Sequence, residues 1–151
     1  MEKNAYYQSK IGIIKITYEN KVRKIELVDK MGNNQKSDLT DRFMDQISAY
    51  LEGRLKNFDL LDQVEIIGTD FQKNVWQALG HIPYGKTLTY KEIAQAIGKP
   101  QAIRAVGTAI GKNPLMIIIP CHRVIGSDGK LRGYAYGLDV KERLLKLEKG
   151  A

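Results

Sequence analysis

Alternation of apolar and polar residues is the main pattern of the first thirty positions. Residues 11–18 (IGIIKITY) and 22–28 (VRKIELV) both alternate with a period close to two, which is typical of half-buried β-strands. Glu19, Asn20 and Lys21 between the two runs are polar and suit a turn. The sequence therefore predicts a β-hairpin near the N-terminus.

Helical spacing of apolar residues follows in the next segment. The recurring positions are Leu39, Phe43, Ile47, Tyr50 and Leu51. We expect Asp38 to cap the start of this helix and Gly53 to end it. Residues 54–69 resemble a connector, and a second helix is predicted near 70–79, ended by Gly80. We place a domain boundary here, between an N-terminal α/β domain of residues 1–68 and a C-terminal domain of residues 69–151.

Two short helices are predicted between residues 89 and 112. Thr89-Tyr90-Lys91-Glu92 fits a capping box, Gly98 can stop the first helix, and Pro100 suits the first turn of the second. Such a pair with a tight turn is a helix-turn-helix pattern. The second helix, QAIRAVGTAIG, is mostly small residues around Arg104. That composition fits close approach to a partner, and it fits equally a helix packed against its neighbour.

The only cysteine of the chain, Cys121, follows an apolar run over residues 115–119 that predicts a short buried strand. Three interpretations compete: a buried small hydrophobe, a metal ligand and a nucleophile. One cysteine and two histidines argue against a structural zinc site with four such ligands. His122 and a cationic environment would favour the thiolate, and Pro120 restricts the backbone. Free cysteines are, however, most often buried and inert, so the residue pattern alone leaves this open.

Composition limits the class of protein. The chain has 151 residues, of which 43% are hydrophobic and 27% charged, which suits one soluble domain or a small domain joined to a larger one. No stretch approaches the roughly 20 apolar residues of a membrane span, and MEKNAYYQSK lacks the apolar run of a signal peptide. We therefore expect an intracellular protein, cytoplasmic or, in a eukaryote, nuclear, without a membrane partner.

Charge is distributed unequally along the chain. Residues 1–70 carry 11 Lys and Arg against 12 Asp and Glu, whereas residues 71–151 carry 13 against 5. The basic excess therefore lies in the half that contains Cys121. Clustered cations bind nucleic acid because they release its counterions, although a soluble basic face has the same composition.

Five strings in the C-terminal half carry a family resemblance. They are TDFQKNVWQAL (69–79), IPYGKTLTYKEIA (82–94), RAVGTAIGKNP (104–114), IPCHRVIG (119–126) and GYAYGLDVKERLLKLE (133–148). In this order and spacing they resemble the O6-alkylguanine-DNA alkyltransferases, whereas the N-terminal half is only loosely similar. The expected fold is α/β (α+β), with a small strand-plus-helix domain followed by a mainly helical domain that contains the helix-turn-helix.

The resemblance implies a single-turnover reaction at Cys121. Its thiol would take an alkyl group from O6 of guanine, and also from O4 of thymine, without a cofactor. His122 would deprotonate Cys121 through a water, Glu148 would orient the imidazole, and Tyr90 would donate a proton or hydrogen bond to the leaving guanine. Asn113 would brace the turn beside the cysteine. Zinc-binding relatives have Cys and His ligands in the N-terminal segment that this chain lacks, so we expect no metal.

The resemblance also implies a monomer that binds double-stranded DNA carrying O6-alkylguanine and flips the damaged base out. The second helix would enter the minor groove, with Arg104 filling the gap left by the base. The other expected DNA contacts are Tyr90, Ala102, Ala105, Gly107 and Arg123. The expected substrate pocket comprises Val124, Tyr134, Ala135 and Tyr136. Because Tyr136 stands where some relatives carry glycine, we expect a narrower pocket that accepts bulky adducts less readily.

Two other classes of function share part of this pattern. A non-catalytic DNA-damage-recognition or helix-turn-helix protein would have the same helix pair and charge, but relatives of that kind replace the cysteine. A cysteine hydrolase would need a pocket that activates water to release its intermediate. The fate of an alkyl group on Cys121 separates the three.

Overall fold

The computed structural model of the protein describes residues 1–131 and 133–150. The chain forms two compact units. The first contains Met1–Ile67 together with Pro114–Met116, and the second contains Gly68–Asn113 and Ile117–Ala151. Three residues from late in the chain thus belong to the first unit, directly before the segment that leads to Cys121. The functions assigned to the two predicted domains stay predictions.

The first unit contains an antiparallel sheet of order β1-β2-β3. Its strands are β1 (Lys3–Ser9), β2 (Gly12–Tyr18) and β3 (Val22–Val28). The predicted hairpin is confirmed as β2 and β3, whose residues Ile14, Ile16 and Ile25 are fully buried. Strand β1, KNAYYQS, was not predicted, because its few apolar residues do not alternate clearly with polar ones.

A single α-helix, α1 (Asp38–Leu51), accompanies this sheet within the first unit. Its N-cap is Ser37 and not Asp38, since the Ser37 hydroxyl accepts a hydrogen bond from the backbone N–H of Thr40 in a capping box. The C-cap is Glu52, and Gly53 directly after it has a positive φ of 78°, so the predicted glycine end of this helix is confirmed. A 3-10 helix at Leu61–Gln63 lies in the predicted connector.

The second unit is mainly helical. It contains α2 (Asp70–Gly80), α3 (Tyr90–Ala96), α4 (Ile103–Gly111) and α5 (Leu138–Glu148). The short strands β4 (Leu88–Thr89) and β5 (Val124–Ile125) pair in parallel, and a 3-10 helix spans Cys121–Arg123. The predicted fold class is confirmed. Among the residues that the structure describes, no helix is long and apolar enough to cross a membrane.

The helix-turn-helix consists of α3 and α4. The predicted capping box at the start of α3 is confirmed, with Thr89 as N-cap and Glu92 as its partner. Gly98 follows α3 with a positive φ of 74°, a conformation that glycine adopts without steric cost. Pro100 does not begin the second helix, because α4 starts later, with Ala102 as its N-cap.

The run at 115–119 is buried as predicted but is not a strand. Within the first unit, Ile25 of β3 donates a backbone hydrogen bond of 2.8 Å to Pro114 and accepts one of 3.2 Å from Met116. Ile117 then adopts a φ of +72°, which breaks the extended conformation. A β-branched residue pays roughly 1–2 kcal/mol for this left-handed backbone. The strand prediction was therefore wrong, because the extended chain turns at Ile117.

Trp76, the only tryptophan, joins α2 to α4. It is 3% exposed, and its Nε1–H donates a 2.8 Å hydrogen bond to the carbonyl oxygen of Ala109. We expect Trp76→Phe to lower the free energy of unfolding by about 1 kcal/mol, because the Ala109 carbonyl loses its side-chain donor and keeps the backbone N–H of Lys112. Urea unfolding followed by circular dichroism measures this. Phe71→Leu, at a half-buried position of the same helix, is the control and should cost less; equal losses would contradict the assigned role of the indole hydrogen bond.

Candidate active site

A cavity of about 380 Å³ lies beside Cys121 in the second unit. It is lined by Tyr90, Gly107, Ile110, Gly111, Asn113, Cys121, Gly133, Tyr134, Ala135 and Tyr136. Helices α3 and α4, the 3-10 helix and the loop before α5 each contribute to this wall. Its size is in the range that encloses a small organic molecule. Most of the predicted catalytic and pocket residues are thus brought together around one cavity.

The backbone before Cys121 is held by a hydrogen-bonded turn. The carbonyl oxygen of Ile119 accepts a 2.8 Å hydrogen bond from the backbone N–H of Cys121. The same oxygen accepts a buried 2.7 Å hydrogen bond from Nδ2 of Asn113, just after α4. Asn113 therefore connects the end of α4 to the turn that carries the thiol.

The Cys121 thiol is 6% exposed, and its burial raises its pKa above the ordinary value for cysteine. Hydrogen bonding by Asn113, the charge of Lys141 and hydrogen bonding by Tyr134 lower the pKa, but burial outweighs them. The resting side chain is therefore a thiol, contrary to the expectation that the local cationic field favours the thiolate. Nucleophilic attack requires a base.

His122, the residue that follows Cys121 in sequence, forms a buried pair with Glu148 of α5. Nε2 of His122 lies 2.6 Å from Oε2 of Glu148, and the histidine side chain is fully buried. Burial lowers the pKa of His122, although the hydrogen bond to Glu148 opposes this. In the neutral imidazole, donation from Nε2 to the carboxylate leaves Nδ1 as the basic nitrogen. The pair can therefore accept a proton.

Arg123 was predicted to contact DNA and Val124 to line the pocket, and the structure places both side chains elsewhere. Arg123 is 7% exposed, and its guanidinium donates to both oxygens of Glu148 and to the carbonyl oxygen of Ile82. A guanidinium enclosed with its carboxylate is not presented to DNA phosphates. Val124 is fully buried in β5, where it pairs with Leu88, and it is not among the residues that line the cavity.

Lys141 of α5 belongs to this site although sequence analysis did not identify it. The residue is fully buried, and its Nζ donates a long hydrogen bond of 3.4 Å to the carbonyl oxygen of Gly133. The same atom lies 6.0 Å from the centroid of the Tyr90 ring. Burial lowers the pKa of Lys141 to about 8. The negative charge that Cys121 carries when it is ionised has the opposite effect and raises this pKa. Its spacing of three and seven residues from the buried Leu144 and Glu148 was the available signal.

The residues predicted to contact DNA lie on two different surfaces. Arg104 and Ala105 are exposed on α4 and, with Ala102, line a groove beside the start of α2. Gly107 instead lies in the cavity, where an added Cβ would sit 3.9 Å from the ring of Tyr90. Within the described residues, no group of three or more His, Cys, Asp or Glu could hold a metal ion.

Comparison with known proteins identifies the family. A family model described as the DNA binding domain of 6-O-methylguanine DNA methyltransferase matches residues 70–150. A methylated-DNA–protein-cysteine methyltransferase of Methanosarcina barkeri is 68% identical over 103 residues, which are 68% of this chain and 64% of that protein. Its namesake from Methanosarcina acetivorans is 51% identical over 137 residues, or 91% of this chain and 85% of that one.

Solved structures show the same relationship. The crystal structure of Mycobacterium tuberculosis O6-methylguanine methyltransferase superposes with a TM-score of 0.89 at 40% identity, covering 99% of this chain and 94% of that chain. Mycobacterium tuberculosis OGT in complex with DNA gives a TM-score of 0.89 at 41% identity, covering 97% and 92%. The chain therefore belongs to the family of methylated-DNA–protein-cysteine methyltransferases, the O6-alkylguanine-DNA alkyltransferases.

Proposed function

We propose that this protein repairs DNA by moving an alkyl group from O6 of guanine to Sγ of its own Cys121, once per molecule. The observation that carries the proposal is the position of the only thiol in the wall of a small cavity, followed in sequence by His122, which forms a buried pair with Glu148. Family membership supports the same reaction class. The proposal includes repair of O4-alkylthymine, because this base carries an alkyl ether similar to that of O6-alkylguanine.

The reaction is an in-line displacement. A bond forms between Sγ and the alkyl carbon, the bond from that carbon to O6 breaks, and its electron pair stays with the guanine. The thiol proton passes to His122 through a water, and Glu148 stabilises the imidazolium that forms. Because water does not hydrolyse the resulting thioether, the protein is spent after one turnover. No cofactor enters the balance.

Tyr90 is the proposed hydrogen-bond donor to the leaving guanine, and Lys141 is the cation beside it. Tyr90 lines the cavity, where its hydroxyl would donate to the guanine as negative charge develops on the base. The Lys141 ammonium, 6.0 Å from the Tyr90 ring centroid, stabilises negative charge on the phenol and on the thiolate. Tyr136 lines the cavity beside Tyr134, with the two ring centroids 5.7 Å apart, and we propose that small adducts fit best there.

Duplex DNA is the proposed partner, and the damaged base reaches the thiol by flipping out of the stack. The exposed position of Arg104 supports insertion of its side chain from the minor groove, and the small Ala102 and Ala105 allow close approach of α4. The basic excess of residues 71–151 supports binding that is nearly independent of sequence. We propose that the protein acts as a monomer inside the cell.

Removing the thiol tests the transfer itself. Cys121→Ala and Cys121→Ser should abolish alkyl transfer and leave affinity for duplex DNA largely intact, because binding depends on the basic surface. Mass spectrometry after mixing with an O6-methylguanine oligonucleotide should show a permanent one-to-one gain on the wild-type protein alone. A transient gain would indicate a hydrolase, and no gain a DNA-binding protein without chemistry. Transfer by the alanine variant would rule out Cys121 as the acceptor.

Removing the base tests the proton relay. His122→Ala and Glu148→Ala should slow transfer by about 100-fold or more near neutral pH. The loss should shrink as pH rises, because the raised pKa of Cys121 means that the thiolate forms unaided only in alkaline solution. Single-turnover rates between about pH 6 and pH 10 measure this. If alkaline pH restores neither variant, the relay is wrong.

Replacing Arg104 tests base flipping separately from chemistry. Arg104→Ala should slow transfer from duplex DNA by about ten- to a hundredfold, since flipping costs a few kcal/mol, and should change transfer from free O6-methylguanine base much less. Lys112→Ala is the matched control: as a phosphate contact it should reduce the salt slope of duplex binding by roughly one unit. Equal losses on duplex and free base would leave Arg104 with a structural role only.

A further inference from the structure

Arg123 is a buried cation that the reaction as described does not use. We propose that Arg123 is a positioning residue for the transfer: it fixes both oxygens of Glu148 and compensates the charge of that carboxylate, so that His122 is available as a neutral base. This inference rests on the proposed function for its consequence in rate. Its geometric basis is independent of the substrate.

The hydrogen bonds of Glu148 show how the carboxylate is fixed. Its Oε1 accepts hydrogen bonds from Nε of Arg123 at 2.8 Å and from the backbone N–H of Gly85 at 3.2 Å. Its Oε2 accepts from Nη2 of Arg123 at 3.0 Å and lies 2.6 Å from Nε2 of His122. The two-pronged guanidinium contact thus sets the rotation of the carboxylate and holds Oε2 towards the imidazole.

Arg123 is itself held firmly. Its Nη1 donates a 2.7 Å hydrogen bond to the carbonyl oxygen of Ile82, and its guanidinium carbon lies 5.7 Å from the centroid of the Tyr84 ring. Ile82 and Tyr84 lie in the segment between α2 and β4 that also provides the N–H of Gly85. The guanidinium therefore links this segment to Glu148 at the end of α5 and fixes the position of the carboxylate relative to it.

Charged groups on several elements surround His122 and shift its pKa. Glu148 and Lys141 face this region from α5, Cys121 and Arg123 flank the imidazole on its own turn, and Tyr84 packs against Arg123. Burial lowers the pKa of His122 most, the hydrogen bond and charge of Glu148 raise it, and the charge of Arg123 lowers it.

Without Arg123, Glu148 would be a buried carboxylate whose nearest titratable partner is the imidazole. A buried carboxylate without a counter-charge is costly, and protonation of His122 would relieve that cost. An imidazolium cannot accept the thiol proton. Loss of the guanidinium charge should therefore move the acid limb of the rate profile to higher pH.

The charge of Arg123 and its forked geometry can be separated by two substitutions. Arg123→Gln removes the charge and keeps a hydrogen-bond donor, whereas Arg123→Lys keeps the charge and loses the fork. Arg143→Gln, at an exposed position of α5, removes one guanidinium without touching Glu148 and is the matched control. Free O6-methylguanine base is the substrate, so that DNA affinity does not enter the rates.

Single-turnover rates should separate these variants. In Arg123→Gln the acid limb of the rate profile should move to higher pH by about one unit or more. The rate should then be about tenfold lower on the acid side of the limb and little changed above it. In Arg123→Lys the limb should stay at the wild-type pH with a lower plateau, and Arg143→Gln should match the wild type. Wild-type rates and profile in Arg123→Lys would overturn the role of the fork, even if Arg123→Gln does not fold.

Titration of the His122 ring by NMR gives a readout that needs no transfer. Its midpoint should rise in Arg123→Gln and stay unchanged in Arg123→Lys and Arg143→Gln. An unchanged midpoint and pH profile in folded Arg123→Gln would overturn the proposal, and a loss of duplex affinity alone would make Arg123 a DNA contact instead. If the wild-type protein shows no permanent mass gain, the proposed function fails, whereas the ring titration still decides the role of Arg123.

Discussion

The hydrogen bonds of the buried Glu148 carboxylate are the interactions on which the second unit of the protein depends. They join the end of α5 to the 3-10 helix through His122 and Arg123, and to the segment before β4 through Gly85. Each of these contacts is charge-assisted, and the low polarity of the surroundings strengthens them. The same burial makes loss of one partner costly, because an ionised carboxylate would remain in an apolar environment. Stability and chemistry therefore share one group.

Burial also determines how the thiol is used. Cys121 is enclosed, so its pKa is raised and the resting protein carries a thiol and not a reactive thiolate. Such a side chain is protected from adventitious oxidation, since the thiolate is the reactive form. The cost is that a base must take the proton when substrate arrives, and the base that we propose is a neutral His122. For the single-turnover transfer that we propose, a nucleophile that stays inert until its substrate is bound is an advantage.

Local signals in the sequence were sufficient for most secondary structure. The hairpin of β2 and β3 followed from alternation, and the capping box at Thr89 fixed the start of α3, because both depend on residues close in the chain. The error before Cys121 occurred where distant contacts prevail over local preference. The extended run before Cys121 is broken at Ile117, after its first residues join β3, and no local preference favours an isoleucine with positive φ.

The sequence by itself determined the family, the fold class and the identity of the candidate nucleophile, because the motif around Cys121 and its spacing from the helix-turn-helix are properties of the linear chain. Only the tertiary structure decided what surrounds that nucleophile. It directed Arg123 inward to Glu148, enclosed Lys141 beside Tyr90, and raised the pKa of the thiol. Burial and charge pairing arise between segments that are far apart in sequence, and a pattern of neighbouring residues does not contain them.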